Sequence, residues 1–192
     1  MENKEKILES ALDLFSAKGY DAVGVQEIAE RSGITKPTLY HYFGSKYGLL
    51  EALLSTHYEQ FHSVLSEAAR YEGDLPMTLY RFVNAYFTLA LQNVKFYRFF
   101  MSMMYAGEAS DMYRAVYPYA QQQLDMVTEM FLAAGDIIGN MNGRQEQYAI
   151  TFIGILNHYL LLWMRRGDKH TPAISGEKAF AVVHQFLHGI YV

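Results

Sequence analysis

The segment Ile34-Thr35-Lys36-Pro37-Thr38-Leu39-Tyr40-His41-Tyr42-Phe43-Gly44-Ser45-Lys46 constrains this chain more than any other stretch of it. Thr35 offers an N-cap oxygen, Lys36 and Pro37 fill the first turn, where a missing N–H costs little, and Gly44 permits a left-handed stop. The spacing predicts a short helix of about two turns. Leu39 and Phe43, four residues apart, share a face that anchors to a core. Lys36, Pro37, Thr38, Tyr40, His41 and Tyr42 are left on the remaining arc. Phenols, an imidazole, a hydroxyl and an ammonium on one exposed helix are groups that bond phosphates or meet base edges in a DNA major groove.

The preceding residues supply a partner helix. Val25, Ile28 and Ala29 recur on one helical face, and Ser32-Gly33-Ile34 makes a tight break before the second helix. Helix, glycine turn and second helix form a helix-turn-helix. Further upstream, Ile7, Leu8, Ala11, Leu12 and Phe15 repeat at helical spacing until Gly19 stops the run, and Tyr20 can fold back on it. A headpiece of three helices in about 45 residues needs support from the rest of the chain.

This ordered series resembles the TetR family of one-component bacterial transcriptional regulators. The likeness covers residues 5–55. It is carried by Ala11-Leu12-Asp13-Leu14-Phe15, Lys18-Gly19-Tyr20, Ile28-Ala29, Ser32-Gly33-Ile34, Thr38-Leu39-Tyr40-His41-Tyr42-Phe43, Ser45-Lys46 and Leu49. The resemblance implies that Lys36, Thr38, Tyr40 and His41 face bases or phosphates, that Tyr42 and Lys46 hold phosphates, and that Gln26 touches a base edge. With Thr35 and Pro37, these are the candidate DNA contacts. One departure is Gly24, where a threonine often caps the second helix of the family; glycine is an acceptable cap.

Charge does not follow the simplest pattern for a nucleic-acid binder. The 192-residue chain carries a formal net charge of −4, and residues 1–48 hold six Lys or Arg against seven Asp or Glu, so even the headpiece is not basic as a whole. The segment Ser32 to Leu50, however, contains Lys36 and Lys46 and no acid. Binding is therefore expected to lean on hydrogen bonds and dimer geometry, with few phosphates neutralised.

The remainder reads as helices without a strand, so the expected fold is all-α. Residues 1–47 would be a helix-turn-helix DNA-binding domain and residues 48–192 a helical ligand-binding and dimerisation domain. Apolar periodicity predicts helices over 45–71, 77–94, 96–105, 110–134 with a kink or break at Pro118, 144–166 and 175–189. An uncharged run from Gln147 to Met164 touches the lower limit for a membrane span. Gln147, Thr151, Asn157 and His158 interrupt it, and burial inside the protein is the preferred reading. In the TetR family the two C-terminal helices of each subunit make a four-helix dimer contact. The resemblance implies that role here for Leu161, Phe180, Val183, Phe186 and Leu187.

Aromatic residues and methionine crowd the middle of the chain, most densely from Phe96 to Tyr105. Most of these are expected to be ordinary core. A subset, Tyr86, Arg98, Tyr105, Tyr117 and His158, is the candidate lining of a cavity for a small apolar or aromatic effector. Arg98 suits a carboxylate or phosphate on that ligand, or stands as a solvated charge beside the aromatics.

Catalytic signatures are missing from the sequence: it has no HExxH, GxSxG, P-loop or dinucleotide fingerprint. His184 and His188 have the i, i+4 spacing of a metal pair, but no third ligand accompanies them, and a dimer-contact role is preferred. Neither catalysis nor a cofactor is expected. With no cysteine and no apolar N-terminal run, a cytoplasmic location is expected. The combined reading is a dimeric, effector-responsive, operator-binding regulator, most simply a repressor. The alternative is a dimeric small-molecule-binding or scaffold protein without regulated DNA binding.

Overall fold

The computed structural model describes residues 3–135, 143–166 and 176–189. Among these residues there are nine helices and no strand: α1 (Asn3–Lys18), α2 (Val25–Ser32), α3 (Lys36–Phe43), α4 (Lys46–Ala68), α5 (Leu75–Gln92), α6 (Val94–Met104), α7 (Asp111–Ala133), α8 (Gln145–Arg166) and α9 (Gly176–His188). The all-α expectation holds, and most helix ends fall within a few residues of those read from capping and periodicity. Pro118 does not end its helix, because α7 runs through it.

Two compact units emerge, one of Met1–Gln60 with Val94–Ala120, the other of Phe61–Asn93 with Gln121–Val192. The first unit holds the three headpiece helices, the start of α4, all of α6 and the first part of α7. Its core is built from Ile7, Ala11 and Phe15 of α1, Ile28 and Ala29 of α2, Leu39 of α3, and Leu49, Leu50 and Leu53 of α4, all fully or almost fully buried. The support that so small a headpiece requires comes partly from α6, which packs on α1. Phe15 stacks on Phe99 with ring centroids 5.8 Å apart.

In the second unit α5 packs on α8 and α9. Asp74 starts α5 by accepting the Met77 amide at 2.9 Å, with a proline in the first turn. Phe82, Tyr86, Phe87, Phe131, Phe152, Leu156 and Leu160 form the buried centre. Most of its aromatic rings meet edge-on or tilted, as for Phe131 with Phe152 at 6.2 Å and Phe87 with Trp163 at 5.1 Å, while Phe82 and Tyr86 stack. No helix among the described residues is long and apolar enough to cross a membrane.

Candidate nucleic-acid interface

Two corners hold α3, the candidate recognition helix, in place. At its entry, α2 ends on Gly33 at φ 67°, ψ 32°. The Gly33 amide donates to the Glu30 carbonyl at 3.1 Å and the Ile34 amide to the Ala29 carbonyl at 3.0 Å. This is a Schellman ending, which satisfies the last carbonyls of α2 and needs a residue without Cβ strain at positive φ. Thr35 then caps α3 in extended conformation, its Oγ1 accepting the Thr38 amide at 3.4 Å. At the exit, the Gly44 amide donates to the Tyr40 carbonyl and the Gly48 amide to Ser45 Oγ at 2.9 Å. A Cβ on Gly48 would stand 2.2 Å from the Phe43 carbonyl oxygen. Only glycine fits that approach between the end of α3 and the start of α4.

Leu39 and Phe43 point into the core, and Lys36, Pro37, Tyr40, His41 and Tyr42 are exposed. The predicted split between anchoring and presenting faces is therefore what the fold produces, except at Thr38. Tyr40 and Tyr42 are 41% and 43% exposed, although an isolated large aromatic ordinarily seeks cover. The Lys36 ammonium lies 5.8 Å from the centre of the Tyr40 ring, and His41 meets Tyr42 edge-on at 5.9 Å. Thr38 is half-buried, with its hydroxyl 2.8 Å from that of Thr35. Both threonines are thus already engaged with each other and with the cap. Gln26 is exposed on α2, its amide donating to Glu30 at 2.8 Å.

The structure also shows where the headpiece acids go. Glu27 pairs with Lys18. Asp13 takes Arg31 of α2 at 2.8 Å and also Lys95 of α6. The hydrogen bonds from Lys95 and then Arg31 hold the Asp13 carboxyl below the usual carboxylate range. These carboxylates are neutralised on α1 and α2, and α3 itself has no acid. Asp13 and Lys95 are 82 residues apart, and neither carries a motif that announces the pairing.

Lys46 occupies a different setting from the other candidates. It is half-buried, with its ammonium 4.1 Å from the centre of the Tyr20 ring. Burial lowers its pKa, opposed by the charges of Asp21 and Asp111. Tyr20 is itself buried against Phe15 at 5.1 Å, and burial followed by Asp111 pushes its phenol up to about 12.

The five candidate effector residues are distributed unevenly. Tyr86, in the second unit, is 2% exposed; its hydroxyl donates to Asn157 Oδ1 at 2.5 Å, and Phe61 and Phe82 lie 5.4 and 6.0 Å from its ring. His158, also in that unit, is exposed. In the first unit Arg98 is exposed, Tyr117 is 49% exposed and Tyr105, just beyond the end of α6, is 78% exposed. Only Tyr86 is enclosed, because periodicity fixes which residues share a face and not what covers it. Asn157, read only as an interruption of an apolar run, turns out to be the polar partner of Tyr86.

Of the candidate dimer residues, Phe180, at 62% exposure, and Leu187 face outward. With Met77, Tyr80, Val183 and His184 they line an open groove of about 590 Å³ between the start of α5 and α9. Val183 is buried and Leu161 half-buried. Phe186 turns inward against Phe152 at 4.8 Å, inside its own unit. The rings of His184 and His188 are 4.5 Å apart, and no cluster of three metal-ligating side chains occurs among the described residues.

The sequence pattern of bacterial regulatory proteins of the tetR family matches residues 7–53, the headpiece just described. The chain belongs to the TetR family. Over 86% of its length it is 27% identical to an HTH-type transcriptional regulator of Bacillus subtilis, YvkB, of which the match spans 85%. It is 29% identical over 94% of its length to the HTH-type transcriptional activator FasR of Mycolicibacterium smegmatis, covering 81% of that protein. Among solved structures, FadR of Bacillus subtilis in complex with stearoyl-CoA superposes with a TM-score of 0.79 at 16% identity, covering 97% of this chain and 99% of that one. These TetR-family relatives are transcriptional regulators, not enzymes.

Proposed function

We propose that this TetR-family protein is a homodimeric, operator-binding repressor released by a small molecule with a large apolar part. The observation that carries the reading is the outward face of α3, where Lys36, Tyr40, His41 and Tyr42 stand in solvent on a helix locked at both corners. Tyr42 and Lys46 would hold phosphates, Lys36, Thr38, Tyr40 and His41 would read the major groove, and Gln26 would reach a flanking base. Thr35 and Pro37 would shape the mouth of the helix. Residues 1–47 would do this work, and residues 48–192 would bind effector and pair subunits through α8 and α9.

For the effector, support comes from the aromatic interior of the second unit, with its polar pair Tyr86 and Asn157. The stearoyl-CoA bound to FadR makes a long acyl chain the first compound to try. Repression would lift by population shift. One conformation sets the recognition helices about 34–36 Å apart, one DNA turn, and the effector favours another.

The test is binding of the purified protein to its own upstream DNA by fluorescence anisotropy, with and without stearoyl-CoA. Tight binding that the acyl compound weakens is the expected result. Linkage then requires operator DNA to weaken effector binding by the same factor. A protein that binds stearoyl-CoA and ignores upstream DNA would favour the scaffold reading, to which the net charge of −4 lends weight.

A further inference from the structure

Lys46 follows the recognition helix directly, at the first position of α4. It provides one of only two cations between Ser32 and Leu50. Lys18 and Arg31 are already paired with Glu27 and Asp13, and Lys4 and Lys6 belong to α1, so the positive charge on and just after α3 rests on Lys36 and Lys46. Each phosphate neutralised contributes separately to affinity and to its salt dependence. The environment of Lys46 therefore matters more here than in a strongly basic headpiece.

That environment is shaped partly from outside the headpiece sequence. The Lys46 ammonium lies over the Tyr20 ring at 4.1 Å, an arrangement that attracts a cation to the ring face. The Tyr20 hydroxyl points to Asp111 Oδ2 at 3.5 Å. Asp111, 91 residues further along the chain, is the first residue of α7 and is also paired with Arg114. Its carboxylate, with that of Asp21, acts electrostatically on Lys46.

We infer that Asp111 and Tyr20 form an electrostatic brake on DNA binding, holding the Lys46 ammonium against the Tyr20 ring and discounting its charge toward phosphate. The position of the α7 N-terminus then sets how much of the headpiece charge reaches DNA. A shift that withdraws Asp111 frees Lys46 and tightens binding; one that presses Asp111 closer loosens it. This rests on the reading of the headpiece as a DNA-binding element and adds a regulated contact to it.

The experiment measures binding of full-length protein to a duplex of its upstream DNA and to a scrambled duplex of equal length, across a KCl series. Asp111→Asn is expected to bind both duplexes more tightly by roughly two- to fivefold per subunit, the range set by one partly exposed charge pair, and so by roughly four- to twenty-five-fold for the dimer. The slope of log K against log salt should steepen by up to about 1.8, the value for one added phosphate contact of about 0.9 in each subunit of the dimer. A gain of affinity cannot come from a damaged fold. Arg114, released by the same substitution, is the competing cause. Repeating the comparison in a Lys46→Met background separates the two: the gain should vanish if it acts through Lys46. An unchanged or weakened Asp111→Asn, or a gain of equal size in the Lys46→Met background, overturns the brake and leaves the DNA-binding reading intact. Failure of the wild-type protein to bind either duplex at low salt overturns both.

Discussion

Two neighbours on α3 separate what holds the headpiece together from what it presents. Leu39 has no exposed surface, whereas Tyr40 is 41% exposed. Truncating Leu39 to alanine deletes buried methyl groups and leaves a cavity, which costs about 2–5 kcal/mol of folding stability. Tyr40→Ala removes an exposed ring whose neighbour across the helix is the Lys36 ammonium at 5.8 Å, an interaction of about 0.5 kcal/mol at such a site. The fold should hardly register it. At the operator the order reverses. A lost base or phosphate contact costs about 1–3 kcal/mol, and in a dimer both recognition helices lose it. The Tyr40→Ala dimer should therefore bind upstream DNA more weakly by at least about 2 kcal/mol, roughly thirtyfold. Urea unfolding and fluorescence anisotropy on the same preparations give both numbers. If a Tyr40→Ala, His41→Ala double variant bound as tightly as wild type, the assignment of α3 as recognition helix would be refuted.

Three further expectations concern stability and assembly. His57 stacks on Phe96 at 4.5 Å, and burial lowers its pKa below the ordinary 6.5; its contribution is present above that value and is lost as falling pH protonates the unfolded chain first. Stability should decline from about pH 7 to 5, and His57→Leu should flatten that decline in urea titrations; an unaltered slope would place its cause elsewhere. Phe180→Asp, on an exposed face, should leave the helical circular dichroism intact while shifting sedimentation from dimer to monomer, whereas Val183→Asp, at 4% exposure, should unfold the protein at a cost of several kcal/mol; a wild-type monomer at micromolar concentration would defeat the dimer proposal. Gly48→Ala should displace the end of α3 and weaken DNA binding, because its Cβ has no room beside the Phe43 carbonyl; operator affinity equal to wild type would show that the corner relaxes freely.

Helix α3 was legible in the sequence because the interactions that define it are local. Thr35 and Thr38, Ala29 and Ile34, Tyr40 and Gly44, and Ser45 and Gly48 are each within five residues of one another. Caps and i, i+4 anchors are local physics, so the residues that enter the core and those left in solvent could be read directly. The same holds for the helix ends, and for the absence of acids between Ser32 and Leu50.

What covers each face was decided by tertiary structure. Periodicity marked α9 as amphipathic but did not separate Phe186, which turns to Phe152, from Phe180, which faces outward. The aromatic run of α6 read as effector lining or core, and in the fold it supports α1 through Phe99 and Phe15. Pro118 read as a kink or break, and the break does not occur, since α7 continues through it. The polar ties Lys95 to Asp13, Asp111 to Tyr20 and Tyr86 to Asn157 join residues 82, 91 and 71 positions apart. A helical repeat specifies angles about one axis. The choice of neighbour depends on how several axes pack and on which buried polar groups find partners, and no local pattern encodes that.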